Sequence, residues 1–86
     1  MTTIAAVIAN PQELAIPRFD SRHRHPDDAF EAVVRANRGD WFTGPCPQGG
    51  DPEGAYSDYS ATIVRRDRPL GEVWLRMYHN NDEHAE

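Results

Sequence analysis

Residues 59–79 read YSATIVRRDRPLGEVWLRMYH, and this stretch decides the fold. Apolar residues alternate with polar or aromatic residues on both sides of an arginine-rich segment, which is typical of two β-strands joined as a hairpin. Pro69 and Gly71 suit the second and fourth positions of a type I turn. The sequence therefore predicts a turn over 68–71, within a connection of five residues.

The alternation also predicts which side chains share a face of the hairpin. Pairing Ile63 with Val73 or Leu75 collects the apolar residues of both strands on one face. A slip of one residue would instead place Ile63 opposite Trp74 and mix the two faces. On the opposite face, the second strand carries a row of three large side chains, with Ser60 and Thr62 beside them: Trp74, Arg76 and Tyr78.

This row is the best candidate contact surface in the sequence. Trp, Tyr and Arg concentrate binding energy at interfaces, because they offer large area, few rotatable bonds and a polar group. The alternative is that Trp74 and Tyr78 pack beneath the long loop or the N-terminal segment. At the predicted hairpin tip, three arginines form a basic cluster that could contact phosphates or an acidic protein patch: Arg65, Arg66 and Arg68.

The remaining elements are a strand, a helix and a loop. The apolar run 2–9 predicts a strand in the centre of a sheet, because neither of its faces is polar. A helix is expected over 26–38, with Pro26 at its first position and Gly39 just past its end. The segment 43–55 is too rich in proline and glycine for regular structure, so we expect a flexible loop, and residues 80–86 a frayed tail.

Together these elements predict a single α+β domain over residues 1–86. An antiparallel sheet of three or four strands would carry the helix on one face. The chain is long enough for one modest core, and a large enclosed active site is not expected.

The charge of the chain limits the classes of partner that we expect, and its cysteine content limits its disulfides. The chain has 14 acidic residues against 9 basic ones, all arginine, and a net charge of -5, which disfavours unspecific attraction to nucleic acids or anionic membranes. One cysteine excludes an internal disulfide, and the first apolar run is too short for a leader or a membrane span. We therefore expect a cytoplasmic protein without a membrane partner.

Catalytic and metal-binding motifs are weak. Cys46 has proline on both sides and no hydrolase signature around it, so the sequence does not favour a nucleophile. His23 and His25 could share one side of an extended segment and hold a metal, but solvated histidines ahead of a helix are the simpler interpretation. We expect no enzyme activity, no cofactor and no metal.

By elimination the sequence favours a protein that binds the surface of a larger partner. In size, acidic charge and layout of one helix with a hairpin, the chain resembles small phage or mobile-element inhibitors such as anti-CRISPR proteins. The resemblance implies steric block of a host defence ribonucleoprotein complex. Two alternatives stay open: a small assembly subunit that forms a homo-oligomer through its hairpin face, and a weak nucleic-acid binder that uses the arginine clusters.

Overall fold

The computed structural model of this protein describes residues 2–80. This part of the chain folds into one helix and one antiparallel sheet, which confirms the predicted α+β class. Its elements in chain order are β1 (Thr2–Ala9), α1 (Pro26–Ala36), β2 (Trp41–Phe42), β3 (Cys46–Gly50), β4 (Tyr56–Arg65) and β5 (Arg68–Asn80). Apart from Asn80, which ends β5, the predicted frayed tail lies outside the described residues.

The sheet is built around the pair formed by β4 and β5. Strand β1 pairs with β5, while β2 and β3 pair with different parts of β4. The prediction that the first strand lies centrally is wrong, because β1 pairs only with β5 among the described strands and forms an edge. Its apolar run is not buried on both sides: Ile8, at an irregularity of the ladder, is 41% exposed.

The turn of the hairpin lies three residues earlier than its proline and glycine suggest. Arg66 and Asp67 connect β4 to β5 with φ angles of 52° and 62°, as a two-residue type I′ turn requires. The predicted turn over 68–71 is therefore wrong, and these residues belong to β5. Pro69 is tolerated because it lies beside a bulge and beyond the reach of β1, whose pairing with β5 begins at Trp74.

The bulge preserves the predicted division of faces. A two-residue turn alone would pair Ile63 with Leu70 and shift every later pair by one residue. Leu70 is instead the extra residue of the bulge, so that Ile63 lies opposite Gly71 and Ala61 opposite Val73. The expected partner of Ile63 was Val73 or Leu75, so the predicted register differs by two residues or more, but the faces are the predicted ones.

The inner face of the sheet and α1 enclose the core. The largest fully buried side chains come from both layers: Phe30, Ile63, Leu75, Met77, Val33 and Val73. Phe30 also contacts Phe42 of β2, with 5.8 Å between the ring centroids. Between β1 and α1, residues 10–25 form neither helix nor strand, and Leu14 and Phe19 of this segment pack against the core. In the same segment the Gln12 side chain accepts a hydrogen bond from the backbone N–H of Glu72.

Helix α1 ends two residues earlier than predicted, and a different residue closes it. The helix ends at Ala36, and Arg38 rather than Gly39 takes the left-handed conformation that closes it, with a φ of 54°. The backbone N–H groups of Arg38 and Gly39 donate to the carbonyls of Arg35 and Val34, the pattern of a Schellman motif. Gly39 is needed for another reason: a Cβ there would lie 3.1 Å from the Ile63 side chain.

The segment between Thr43 and Ala55 contains a strand, so the prediction that it holds no regular structure is wrong. Strand β3 pairs with β4 on one side and is otherwise an edge among the described strands. Pro47 is compatible with an edge, and the ladder is interrupted between Pro47 and Gly49, whose φ is 122°. Proline and glycine therefore mark an irregular edge strand here rather than a loop without structure.

Leu75→Ala should destabilise the domain by about 2–5 kcal/mol, because it removes buried methyl groups from a closed core. Ile16→Ala deletes a similar volume from a side chain that is 36% exposed, and should change stability by less than about 1 kcal/mol. Urea unfolding followed by circular dichroism measures both values. Equal losses in the two variants would contradict the assigned core.

Candidate functional site

The face of β4 and β5 that points away from α1 is called the outer face below. Its side chains form four cross-strand pairs: Tyr56 with Tyr78, Asp58 with Arg76, Ser60 with Trp74, and Thr62 with Glu72. The structure thus places Trp74, Arg76 and Tyr78 in one row, as the alternation predicted. None of the outer-face side chains belongs to the apolar core formed by the described residues.

The aromatic residues of the row are only partly covered. Trp74 is half-buried, and Tyr78 is 43% exposed. Opposite Trp74, Ser60 is buried and its hydroxyl accepts a hydrogen bond of 2.9 Å from the Gln48 side chain of β3. The outer face therefore has a closed polar centre and an aromatic end that reaches solvent.

Arg76 is held in place at the aromatic end. Its Nε donates to Asp58 Oδ1 at 2.8 Å and its Nη2 to Asp58 Oδ2 at 3.1 Å, a bidentate arrangement. The guanidinium carbon also lies 3.9 Å from the centre of the Tyr56 ring. Tyr56 in turn meets Tyr78 edge to face, with 6.0 Å between the centroids. Arg76 and Tyr78 thus belong to one contact cluster with Asp58 and Tyr56 rather than being independent side chains.

The ion pair shifts the pKa values of both partners. The hydrogen bonds from Arg76 lower the pKa of Asp58, and the Asp58 carboxylate raises the pKa of Arg76. Both groups therefore stay charged across the physiological range. The Asp58 side chain is only 14% exposed and the Arg76 side chain 28%. The pair is therefore better shielded from solvent than an ordinary surface ion pair.

Sequence reasoning missed Tyr56 and Asp58. A register that pairs Ile63 with Val73 places Asp58 opposite Tyr78, which hides the match between its carboxylate and Arg76. The available signal was the charge itself, since one acidic and one basic residue alternate with aromatic residues on the same predicted face.

The arginines at the turn form a second surface, called the tip pocket below. Arg65, Arg66 and Arg68 lie together, as predicted, but the structure adds Arg38 from the C-terminal end of α1. The described residues that line this open cavity of about 860 Å³ are Arg38, Asp40, Arg65, Arg66, Arg68 and Leu70. Asp40 ties the two elements together, because its Oδ2 accepts a 2.7 Å hydrogen bond from the backbone N–H of Arg66. No local pattern could have joined Arg38 to the turn.

The outer face and the tip pocket are separate. Ser60 marks the centre of the outer face, and Arg65 ends the same strand about 16.5 Å further along, at about 3.3 Å per residue. One hairpin therefore presents two chemically different surfaces.

The other candidate residues have local roles or none. The His23 Nδ1 accepts a hydrogen bond from the backbone N–H of Asp20, and its ring packs edge-on against Phe19. Arg22 forms an ion pair with Asp20 and lowers the pKa of that carboxyl. Cys46 is an exposed free thiol on β3. Among the described residues, no three His, Cys, Asp or Glu side chains are grouped so that they could hold a metal.

Comparison with protein-family models, with curated proteins and with solved structures finds no match for this chain. Across residues 2–80, no helix has the length and apolar character needed to cross a membrane. The outer face and the tip pocket are therefore the features from which a function is inferred.

Asp58→Asn should lower the thermal stability at neutral pH and leave little effect in strong acid. Because Arg76 lowers the pKa of Asp58 in the folded state, the ionised carboxylate stabilises the fold above about pH 4, the pKa of an unfolded aspartate. This contribution is lost as the pH falls through the lower folded value. Unfolding temperatures of both proteins between about pH 7 and about pH 2 measure the difference.

An Arg76→Met background is the control for this experiment. Without the guanidinium, Asp58→Asn should no longer produce a difference that depends on pH. A difference that stays constant from neutral to acidic pH in the native background would contradict the assigned ion pair.

Proposed function

We propose that this protein is a non-enzymatic binding module that docks on a larger protein through its outer face. The observation that carries the proposal is the arrangement of Arg76 between the Asp58 carboxylate and the Tyr56 ring, next to an exposed Tyr78. It supplies the side-chain types that dominate protein interfaces, already held in one geometry.

Preorganisation is the physical reason why this cluster suits binding. Immobilising a free arginine or a similarly flexible side chain at an interface costs about 0.5–1.5 kcal/mol. Arg76 has given up much of this freedom in the folded protein, because two hydrogen bonds and a ring fix its guanidinium plane. A partner that contacts Tyr78 and Trp74 would therefore meet a surface that needs little further ordering.

The charge of the outer face favours a protein as partner. The positive charge of Arg76 is compensated by Asp58, and Glu72 adds an uncompensated carboxylate nearby. A phosphate backbone would find no net positive charge here, and the whole chain carries a net charge of -5. Aromatic area with a compensated arginine fits a mixed apolar and polar protein surface better.

In its narrower form the proposal is an inhibitor of a host defence ribonucleoprotein complex, which the protein would block sterically in the cytoplasm. Support comes from the resemblance to anti-CRISPR proteins in size, acidic charge and layout, and from a contact surface that needs no cofactor. A guide-loaded effector complex should then lose target cleavage when this protein is added. Such an inhibition should depend on Trp74 and Tyr78.

A self-assembling subunit is the second candidate function. Its specific support is β1, whose outer edge has no partner strand among residues 2–80. The strand sequence TTIAAVIA contains no charged residue and no proline, which are two of the features that usually prevent edge pairing. A second copy could extend the sheet there, or pack through the outer face.

Trp74→Ala with Tyr78→Ala should abolish capture of a stoichiometric partner from host lysate while the domain stays folded. Both side chains lie outside the apolar core, so we expect the native circular dichroism spectrum. Affinity capture followed by mass spectrometry measures the partner, and light scattering measures the mass of the free protein.

The matched control is Trp41→Ala. Trp41 is 49% exposed, but it borders a groove with Val34 and Arg35 on the helix side. Capture should survive this change. Equal capture by all variants would contradict the outer-face assignment, and a stable oligomer that captures nothing else would favour the assembly subunit.

A further inference from the structure

The tip pocket combines arginines from two distant parts of the chain around one open cavity. Four arginines and one aspartate line it among the described residues, which gives this lining a formal charge of +3 in a protein whose net charge is -5. The carboxylate of Asp40 already has a hydrogen-bond partner in the protein, because it accepts a hydrogen bond from the backbone N–H of Arg66. The pocket is therefore a local region of positive charge on a protein whose net charge is negative.

The four guanidinium groups are free to bind a ligand. Within the described residues, the side chains of Arg38, Arg65, Arg66 and Arg68 form no ion pair and donate no hydrogen bond. A second cavity with two arginines differs in this respect: Arg22 and Arg35 line it, and both are ion-paired. The tip pocket is thus a cavity whose arginine side chains all lack a protein partner among the described residues.

Two of the four arginines occupy backbone positions that disfavour them. Arg38 and Arg66 have φ angles of 54° and 52°, in the left-handed region that glycine and asparagine adopt more easily. Arg38 fills the helix-closing position where glycine is usual, and Arg66 the first turn position where asparagine is usual. Side chains retained at a conformational cost point to a role for the side chain itself.

The pairing of β4 and β5 adds an electrostatic cost. Arg65 and Arg68 form the last cross-strand pair before the turn, and like charges in directly opposite positions destabilise a sheet. An anion bound in the cavity would relieve this repulsion. A role of these arginines in binding an anion would account both for the charge repulsion and for arginine at the two left-handed positions.

We propose that the tip pocket binds a small phosphate-bearing anion, such as pyrophosphate or the polyphosphate of a nucleotide. Guanidinium groups match phosphate oxygens in bidentate geometry, and an anion with several phosphate oxygens can use donors from both elements at once. A small ligand fits better than a nucleic acid. The arginines converge on one cavity instead of forming a track, and the net charge of -5 opposes a long polyanion.

The test is a titration of the ¹⁵N-labelled protein with sodium pyrophosphate, and separately with ATP, at about 0.15 M ionic strength. Amide signals of residues 38–40, 65–68 and 70 should shift and saturate with one ligand per chain below about 1 mM. Sodium sulfate at matched ionic strength should saturate only at higher concentration. The two phosphate probes separate recognition of the polyphosphate alone from recognition of an attached nucleoside.

Arg38→Asn and Arg66→Asn provide the decisive variants. Each should weaken pyrophosphate binding by about tenfold or more, because a charge-assisted contact is lost. Each should also raise the unfolding temperature by about 2–4 °C, because asparagine tolerates the left-handed backbone better. Arg24→Gln removes the same charge from an exposed residue outside the pocket and should leave binding unchanged.

Other outcomes would overturn the proposal. Pyrophosphate binding that survives both variants, or that falls equally in Arg24→Gln, would show unspecific attraction. Shifts produced by an oligonucleotide but by neither phosphate probe would assign the tip to nucleic acid instead. If an asparagine variant fails to fold, Arg65→Gln and Arg68→Gln test the same site, since neither residue has a positive φ. Trp74→Ala should leave pyrophosphate binding intact, which keeps this test independent of the outer face.

Discussion

The pairing of β4 with β5 is the interaction on which the rest of the structure depends. Its two-residue turn has an even length, and alone it would bring residues of opposite faces into register. The bulge at Leu70 adds the one residue that restores the match, so that the apolar side chains of both strands lie on the inner face. The core against α1, and the separation of that core from the aromatic outer face, both follow from this correction.

The same pairing produces two surfaces with different chemistry. On the outer face, Asp58 lies opposite Arg76, so the cross-strand pair neutralises its own charge and fixes the guanidinium beside Tyr56. At the turn, Arg65 lies opposite Arg68, so charge accumulates instead. The Schellman motif that ends α1 then brings Arg38 to this end of the hairpin. An aromatic surface with a compensated arginine suits a protein, whereas an uncompensated basic pocket suits an anion.

The sequence predicts those features that a local pattern specifies. Period-two alternation gave the faces of the hairpin, and proline at the start of a helical pattern gave α1. Sequence-based prediction was wrong where a residue type occupies a position that another type usually takes. Arg66 and Asp67 form a turn without glycine, and Pro69 lies within a strand. The proline and glycine residues of β3 belong to an edge strand instead of a loop. The candidate row was predictable from alternation, but its contact with Asp58 needed the register. Arg38 needed the tertiary fold.

We propose that the outer face is an exposed contact surface and not a second core. Hydroxyl-radical footprinting of the free protein and of its complex with the captured partner tests it most directly, with Trp41 as an internal reference for an exposed aromatic residue. Tyr78 and Trp74 should be oxidised in the free monomer and protected in the complex, while Trp41 should react in both. Protection of Tyr78 and Trp74 already in the free monomer would contradict it.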